Sequence, residues 1–389
     1  MGCTTMVSPE NTPISSDFNV LSYGAIGDGE TDDSEAFLKT WNEACKFSSP
    51  SKMIIPVGRT FLLYPVTFSG PCKSPLTTVS IMGNIVAPPS ILPWKKSGKM
   101  GRWLHIRRVS GLHIYGHDYA TIHGSGHTWW PHMCGENHSP VLSLFSIEHL
   151  LITGLSIMNS PQVHLAMYLC KFVDIKGMKL DTPGDTANTD GIKISHSQHV
   201  TIRQSVIGVG DDCIAMLTGT SDVNISTTTC GPGHGISIGS LGKGAPEDIV
   251  EDVRVTNISF IGSTNGARIK TWQGGAGLVR NILFENLTFT DVANPIIINQ
   301  YYCNGHRGCK NQTSSIKISK IKYVNLHGTS SRDVAITLAC CSVACHDIVL
   351  NDVNLTIANP KPGETATSYC LNVHGLAQGV VNPPVPCLS

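Results

Sequence analysis

Asn188-Thr189-Asp190-Gly191-Ile192-Lys193-Ile194, Gly210-Asp211-Asp212-Cys213-Ile214-Ala215-Met216 and Gly233-His234-Gly235-Ile236-Ser237-Ile238 repeat one pattern three times within residues 188–238. Asp190, Asp212 and His234 follow one another at steps of 22 residues, and each is followed at the second and fourth positions by an apolar residue. Side chains alternate across a strand with period two, so Ile192/Ile194, Ile214/Met216 and Ile236/Ile238 read as the inward phase of one strand in three successive coils. The acids and the imidazole then form a column.

Outward from this stretch the same unit recurs. β-branched runs separated by turn residues are frequent from about residue 79, as in Leu112-His113-Ile114-Tyr115-Gly116 and Leu150-Leu151-Ile152-Thr153-Gly154. With Ile152, Ile175, Ile202, Ile225, Val255 and Phe284 as equivalent anchors, the intervals are 23, 27, 23, 30 and 29 residues. That period predicts an all-β fold, a right-handed parallel β-helix whose coils stack at about 4.8 Å. A leucine-rich repeat would need its Leu-x-x-Leu-x-Leu pattern, which is missing. A sandwich would need Asn-Gly or Asp-Gly hairpins between paired strands.

A helix is expected only near the start. Thr31-Asp32-Asp33-Ser34-Glu35 supplies capping chemistry, and Ala36, Phe37, Thr40, Trp41, Ala44 and Cys45 share one face from Asp33 to Lys46. Such a helix would cover the open end of the first coil. Pro360-Lys361-Pro362-Gly363 and Pro383-Pro384 are expected to close the coils. No linker divides the chain, so residues 1–17 read as an N-terminal extension and 18–389 as one catalytic unit.

Only 14% of the 389 residues are charged, against roughly 25% in ordinary soluble proteins. Formal net charge is zero, so nothing draws the whole molecule to nucleic acid or an anionic membrane. No apolar run is long enough to span a bilayer. Fourteen cysteines and Asn-x-Ser/Thr sequons at Asn137, Asn224, Asn257, Asn286, Asn311 and Asn354 indicate a secreted, extracellular glycoprotein. No leader is visible in the first 17 residues, and one removed or replaced is expected. Spacing offers the pairs Cys45 with Cys72, Cys213 with Cys230, Cys303 with Cys309, Cys340 with Cys345, and Cys370 with Cys387. Paired Cys-x-x-Cys motifs are absent and the His residues are scattered, so no structural metal is expected.

An unpaired carboxylate is too costly in an apolar bore. Asp190, Asp212 and His234 should therefore lie where a turn leads into the strand, and Asp211 should project to a different side from Asp212. Gly191, Cys213, Ala215, Gly235 and Ser237 are small and would leave an open floor, with Lys193 the exception. In Ala267-Arg268-Ile269-Lys270, Arg268 and Lys270 leave the same face of a strand and suit a carboxylate ligand. Three carboxylates, a histidine and two cations on one face point to hydrolysis of an acidic sugar polymer, one acid protonating the leaving oxygen while others activate water. Adjacent aspartates pointing apart would supply the wide separation that inversion needs.

The motifs Asn188-Thr189-Asp190, Gly210-Asp211-Asp212, Gly233-His234-Gly235 and Arg268-Ile269-Lys270 resemble, in order and intact, the four signatures of polygalacturonases, glycoside hydrolase family 28. Similarity extends from Phe18-Asn19-Val20-Leu21 to the final cysteines, and Cys230-Gly231-Pro232-Gly233-His234 and Arg268-Ile269-Lys270-Thr271-Trp272-Gln273-Gly274-Gly275 resemble the plant branch. One departure is Thr186-Ala187, where many relatives place Ser-Pro.

The resemblance implies inverting cleavage of α-1,4-galacturonan in the cell wall without a cofactor, more often endo than exo, by a monomer that polygalacturonase-inhibitor proteins can meet. By analogy Asp211 is the proton donor, Asp190 and Asp212 hold and activate water, and His234 supports Asp211. Arg268, Lys270, Tyr301 and Asn188 contact substrate. The resemblance also supports the 213–230 and 340–345 bridges, leaving Cys341 unpaired or competing with Cys340. Exo-polygalacturonase and xylogalacturonan hydrolase stay open as alternatives. A pectate lyase, which needs a calcium cluster and an Arg base, and a non-catalytic wall-binding protein rank below them.

Overall fold

A computed structural model of the chain describes residues 16–92, 94, 101–132, 140–244, 247–303, 309, 312 and 315–388. Among the described residues, twenty-nine strands paired in parallel wind into a right-handed β-helix. The six sequence anchors are direct partners: Ile152 pairs with Ile175, Ile175 with Ile202, Ile202 with Ile225, Ile225 with Val255, and Val255 with Phe284. All six are buried and form a ladder through the core. The ladder continues to Tyr323 and Leu350 on one side and to Ile114 and Val79 on the other. Rings stack where the ladder carries them, Phe284 on Tyr323 at 5.2 Å and Phe260 on Phe289 at 5.3 Å.

The coil begins earlier than residue 79. Ser16–Asn19 pairs with Ser51–Ile55, which pairs with Thr77–Ile81. The alternation in Ser51-Lys52-Met53-Ile54-Ile55, buried at every second residue, is the signal for it. At the other end Pro360-Lys361-Pro362-Gly363 is a turn between Cys345–Ile357 and Thr367–Leu371, and pairing persists through Val373–Asn382. The coils therefore close at Pro383.

Helix α1, Ser34–Lys46, buries Ala36, Phe37, Thr40, Trp41, Ala44 and Cys45, the face read from the sequence. Phe37 meets Phe61 edge-on at 5.4 Å and Trp41 lies against Phe68 at 5.3 Å, so the helix covers the apolar end of the first coil. Asp33 precedes the helix but makes no side-chain cap. Its carboxylate instead accepts the backbone N–H groups of Ile26 and Gly27 at 2.7 and 3.0 Å and fixes the loop that leads to the helix.

Disulfides join Cys45 to Cys72, Cys213 to Cys230, Cys303 to Cys309, Cys340 to Cys345 and Cys370 to Cys387. Cys170 and Cys341 are free and buried. Most of the N-terminal extension 1–17, and the sequons at Asn137 and Asn311, lie outside the described residues. Asn257, Asn286 and Asn325 occupy equivalent turns, and their amides join in a hydrogen-bonded row.

Candidate active site

One outer face carries the column. Ile192–Ser195, Ile214–Met216, Ile236–Leu241, Asn265–Thr271 and Asn294–Asn299 lie side by side, with Lys193 paired to Ala215, Ala215 to Ser237, Ser237 to Arg268, and Arg268 to Ile297. Asp190, Asp212 and His234 each stand two residues before their strand begins, the turn position that an apolar bore demands. Above them is a groove of about 610 Å³ lined by Asn188, Asp190, Lys193, Asp211, Asp212, His234, Arg268, Lys270 and Tyr302.

The approach turns are built tightly. Thr189 Oγ donates to the Thr186 carbonyl at 2.8 Å and accepts the Gly210 N–H at 3.0 Å, tying the Asp190 turn to the Asp211 turn. A Cβ on Gly210 would stand 2.0 Å from the Thr186 carbonyl oxygen, so only glycine lets the two coils approach. Asn188 is exposed in the left-handed region, with φ of 57°. His164, fully buried, donates through Nδ1 to the Asp190 carbonyl at 2.9 Å and fixes the turn from beneath.

The charged motifs converge: His234 meets Asp211 as expected, while the sequence did not foretell the union of Asp212 with Arg268 and Lys270. Asp212, its side chain only 3% exposed, is clamped by Arg268, by Lys270 at 2.8 Å and by Ser237 Oγ at 2.7 Å. Ser237 also accepts Arg268 Nε at 2.8 Å, so hydroxyl, guanidinium and carboxylate form one unit. Arg268 and Lys270, expected to await a ligand carboxylate, are already engaged. Asp211, 20% exposed, takes His234 Nδ1 at 2.9 Å and the N–H of Asp212 at 2.8 Å, both on Oδ1. Its other oxygen is left to the groove.

Asp211 and Asp212 do not point to opposite sides. Both face the groove, and one ligand atom each of Asp211, Asp212 and His234 lie within 4.8 Å of one another. The turn bends the backbone there, so strand alternation ceases to apply. Any wide separation must come from Asp190 against Asp211. The same three groups would suit a cation by distance, but both Asp212 oxygens already hold cationic side chains.

Cys213 is a further correction: it points inward, fully buried, to Cys230, and of the small residues expected on the floor Ala215 lines the groove. Tyr301 is another. Its N–H donates to Asn299 Oδ1 at 2.8 Å, its hydroxyl donates to the Cys340 carbonyl at 3.3 Å, and it is not among the residues that line the groove. The next residue, Tyr302, lines the groove, lies 5.4 Å edge-on from Trp272, and receives Lys270 Nζ over its ring at 5.4 Å. Lys193 was seen only as an exception to a small-residue floor, yet its Nζ lies 3.1 Å from Asp190 Oδ2. Its spacing of three residues from Asp190 was the available signal.

Burial and the nearby charges of Asp211 and Asp212 push the Asp190 carboxyl up to about 6, against the pull of Lys193. Burial opposes ionisation of Asp211 as well. There the hydrogen bond and charge of His234, with Lys270 and Arg268, prevail and hold the carboxyl well below the usual range. In the empty groove Asp211 is therefore an anion and Asp190 holds its proton up to mildly acidic pH.

A groove with buried, unequal carboxylates on the outside of a parallel coil defines a glycoside hydrolase of the β-helical type. The chain belongs to the glycosyl hydrolases family 28, whose model matches residues 45–381. It is 40% identical over 380 residues to a probable polygalacturonase of Arabidopsis thaliana, covering 95% of this chain and 84% of that one. Identity to polygalacturonase-2 of Solanum lycopersicum is 39%, over 92% of this chain and 78% of that one. In fold it is similar to endo-xylogalacturonan hydrolase from Aspergillus tubingensis, with a TM-score of 0.75 at 23% identity over 93% of this chain and all of that one. The exopolygalacturonase from Thermotoga maritima gives 0.73 at 18% identity, over 93% and 88%.

Proposed function

We propose that this chain is a secreted polygalacturonase that hydrolyses α-1,4-galacturonosidic bonds in homogalacturonan with inversion, acting within the chain. The observation that carries this reading is the junction of two unlike pairs at the groove floor: Asp211 with His234, and Asp212 with Arg268 and Lys270. The named relatives are polygalacturonases, and Arg268 and Lys270 give a uronate carboxylate a cationic seat at the reacting end.

Asp211 is the proposed proton donor because its free oxygen faces the groove. It is an anion when the groove is empty, so it must gain its proton with substrate. A uronate carboxylate seated on Arg268 and Lys270 offsets their pull on Asp211, leaving that of His234, and together with burial raises the carboxyl. Asp190, with its raised value near 6, is the stronger base once ionised, and Lys193 keeps it ionised long enough to take a proton from water. Asp212, bonded to Arg268, Lys270 and Ser237, holds the cations in place.

The raised Asp190 value favours a second reading in which Asp190 donates the proton and Asp211 is the base. Asp211→Asn and Asp190→Asn should each abolish release of reducing ends from polygalacturonate. On an activated galacturonide whose leaving group needs no proton, only the variant lacking the acid recovers turnover. Recovery by Asp190→Asn alone reverses the roles. Fast viscosity loss ahead of reducing ends shows endo action. Unsaturated products in place of hydrolysed ends would overturn hydrolysis itself.

A further inference from the structure

The groove floor continues past the acids toward the N-terminal coils, and its character changes. Strand Leu165–Tyr168 lies one coil before Ile192–Ser195, with Ala166 paired to Lys193 and Tyr168 to Ser195. One coil earlier, Ser143 and Phe145 pair with Ala166 and Tyr168. Coils stand about 4.8 Å apart, so Tyr168 and Phe145 continue the outward row of Ser195, one and two coils toward the N-terminus. Tyr168 is 42% exposed, and its ring lies 5.6 Å from that of Phe145 and nearly parallel to it. His196 flanks Tyr168 at 4.9 Å.

No outward floor residue of these two coils is charged: Ser143, Phe145, Ala166 and Tyr168 make up the surface. Arg107 follows one coil farther on, with Nε held by Ser69 Oγ at 3.0 Å. His105, beside it, is kept neutral by burial, its value lowered to about 4. The reacting end thus offers cations, while the described floor residues between Lys193 and Arg107 offer rings, a phenol and no cation. An ionised carboxylate desolvated against that surface would lose hydration without gaining a partner, whereas a methyl ester would lose little and gain apolar contact.

On the polygalacturonase reading, we propose that Phe145 and Tyr168 form a subsite for a galacturonate unit whose carboxyl is methyl-esterified. The enzyme then needs a free carboxylate at Arg268 and Lys270 but tolerates an ester on the N-terminal side of Asp190. Ala166 pairs directly with Lys193, which lines the catalytic groove, so one polymer chain occupies both.

The test compares wild type, Tyr168→Ala and Tyr168→Lys on de-esterified polygalacturonate and on the same polymer lightly methyl-esterified at random, with products mapped by mass spectrometry. Wild type should leave esters in its products at a fixed position from the new end. Tyr168→Lys should lower the ratio of kcat/KM on esterified to de-esterified polymer by roughly tenfold, the discrimination of one hydrogen bond to a charged group. Tyr168→Ala should lower activity on the esterified polymer more than on the other. A ratio unmoved by both variants, or wild-type products free of esters near the cut, overturns the subsite while hydrolysis stands. If wild type cleaves neither polymer, the hydrolase reading fails first and the subsite with it.

Discussion

Replacing Asp190 by asparagine should abolish catalysis and make the protein harder to unfold at neutral pH. The folded state holds a proton on Asp190 up to about pH 6, while an unfolded aspartate releases it near 3.8. Between those values the native chain binds more protons, so stability falls as pH rises from about 4 to about 6 and stays reduced above. A shift of about two units corresponds to about 3 kcal/mol at pH 7. Asparagine cannot ionise and escapes that cost, though Lys193 loses its partner at 3.1 Å and returns part of the gain. A net stabilisation of about 1–3 kcal/mol follows. With about 2.1 cal/mol/K of unfolding entropy per residue over 389 residues, that is about 1–4 °C in Tm. Thermal unfolding followed by circular dichroism at pH 7 and pH 4 measures it, and the gain should vanish at pH 4. A variant that melts below wild type at pH 7, or with the same offset at both pH values, refutes the assignment of a costly charge to Asp190.

Arg268→Ala removes a clamp on buried Asp212, and breaking such a pair costs about 3–5 kcal/mol, so Tm should drop by about 4–6 °C together with kcat/KM. A raised KM at unchanged Tm would show that Arg268 serves the ligand alone. Tyr302→Leu should weaken kcat/KM about tenfold through lost ring contact, while Tyr301→Phe should change it less than about twofold. The opposite ranking in steady-state kinetics restores Tyr301 to the groove.

The ladder from Ile152 to Phe284 was legible because parallel coils place equivalent residues directly on one another. A periodic apolar position in the sequence is then a neighbour in space. The capping helix was legible for the same reason, since one face must be apolar. What escaped lies where period two stops. Asp211 and Asp212 sit in a bend, so their directions follow from the turn hydrogen bonds of Thr189, Gly210 and His234 and not from alternation. Tyr301 and Tyr302 exchange places because the Asn299 side chain turns the chain just after its strand. Cys213 shares the outward phase of Ala215 but precedes the strand, and its bond to Cys230 draws it inward. The clamp on Asp212 joins residues 56 and 58 positions apart in the chain, a pairing that no local pattern encodes.

The anchors repeat at 23 to 30 residues while their pairing register never slips. Variation in length is thus confined to the turns, which can change without disturbing the ladder beneath them. The walls can be rebuilt coil by coil, lengthened here or trimmed there, with the reacting groups left at their fixed heights. In such a scaffold the choice between cutting inside a polymer and nibbling at its end is an architectural decision about the rim, separable from the chemistry on the floor.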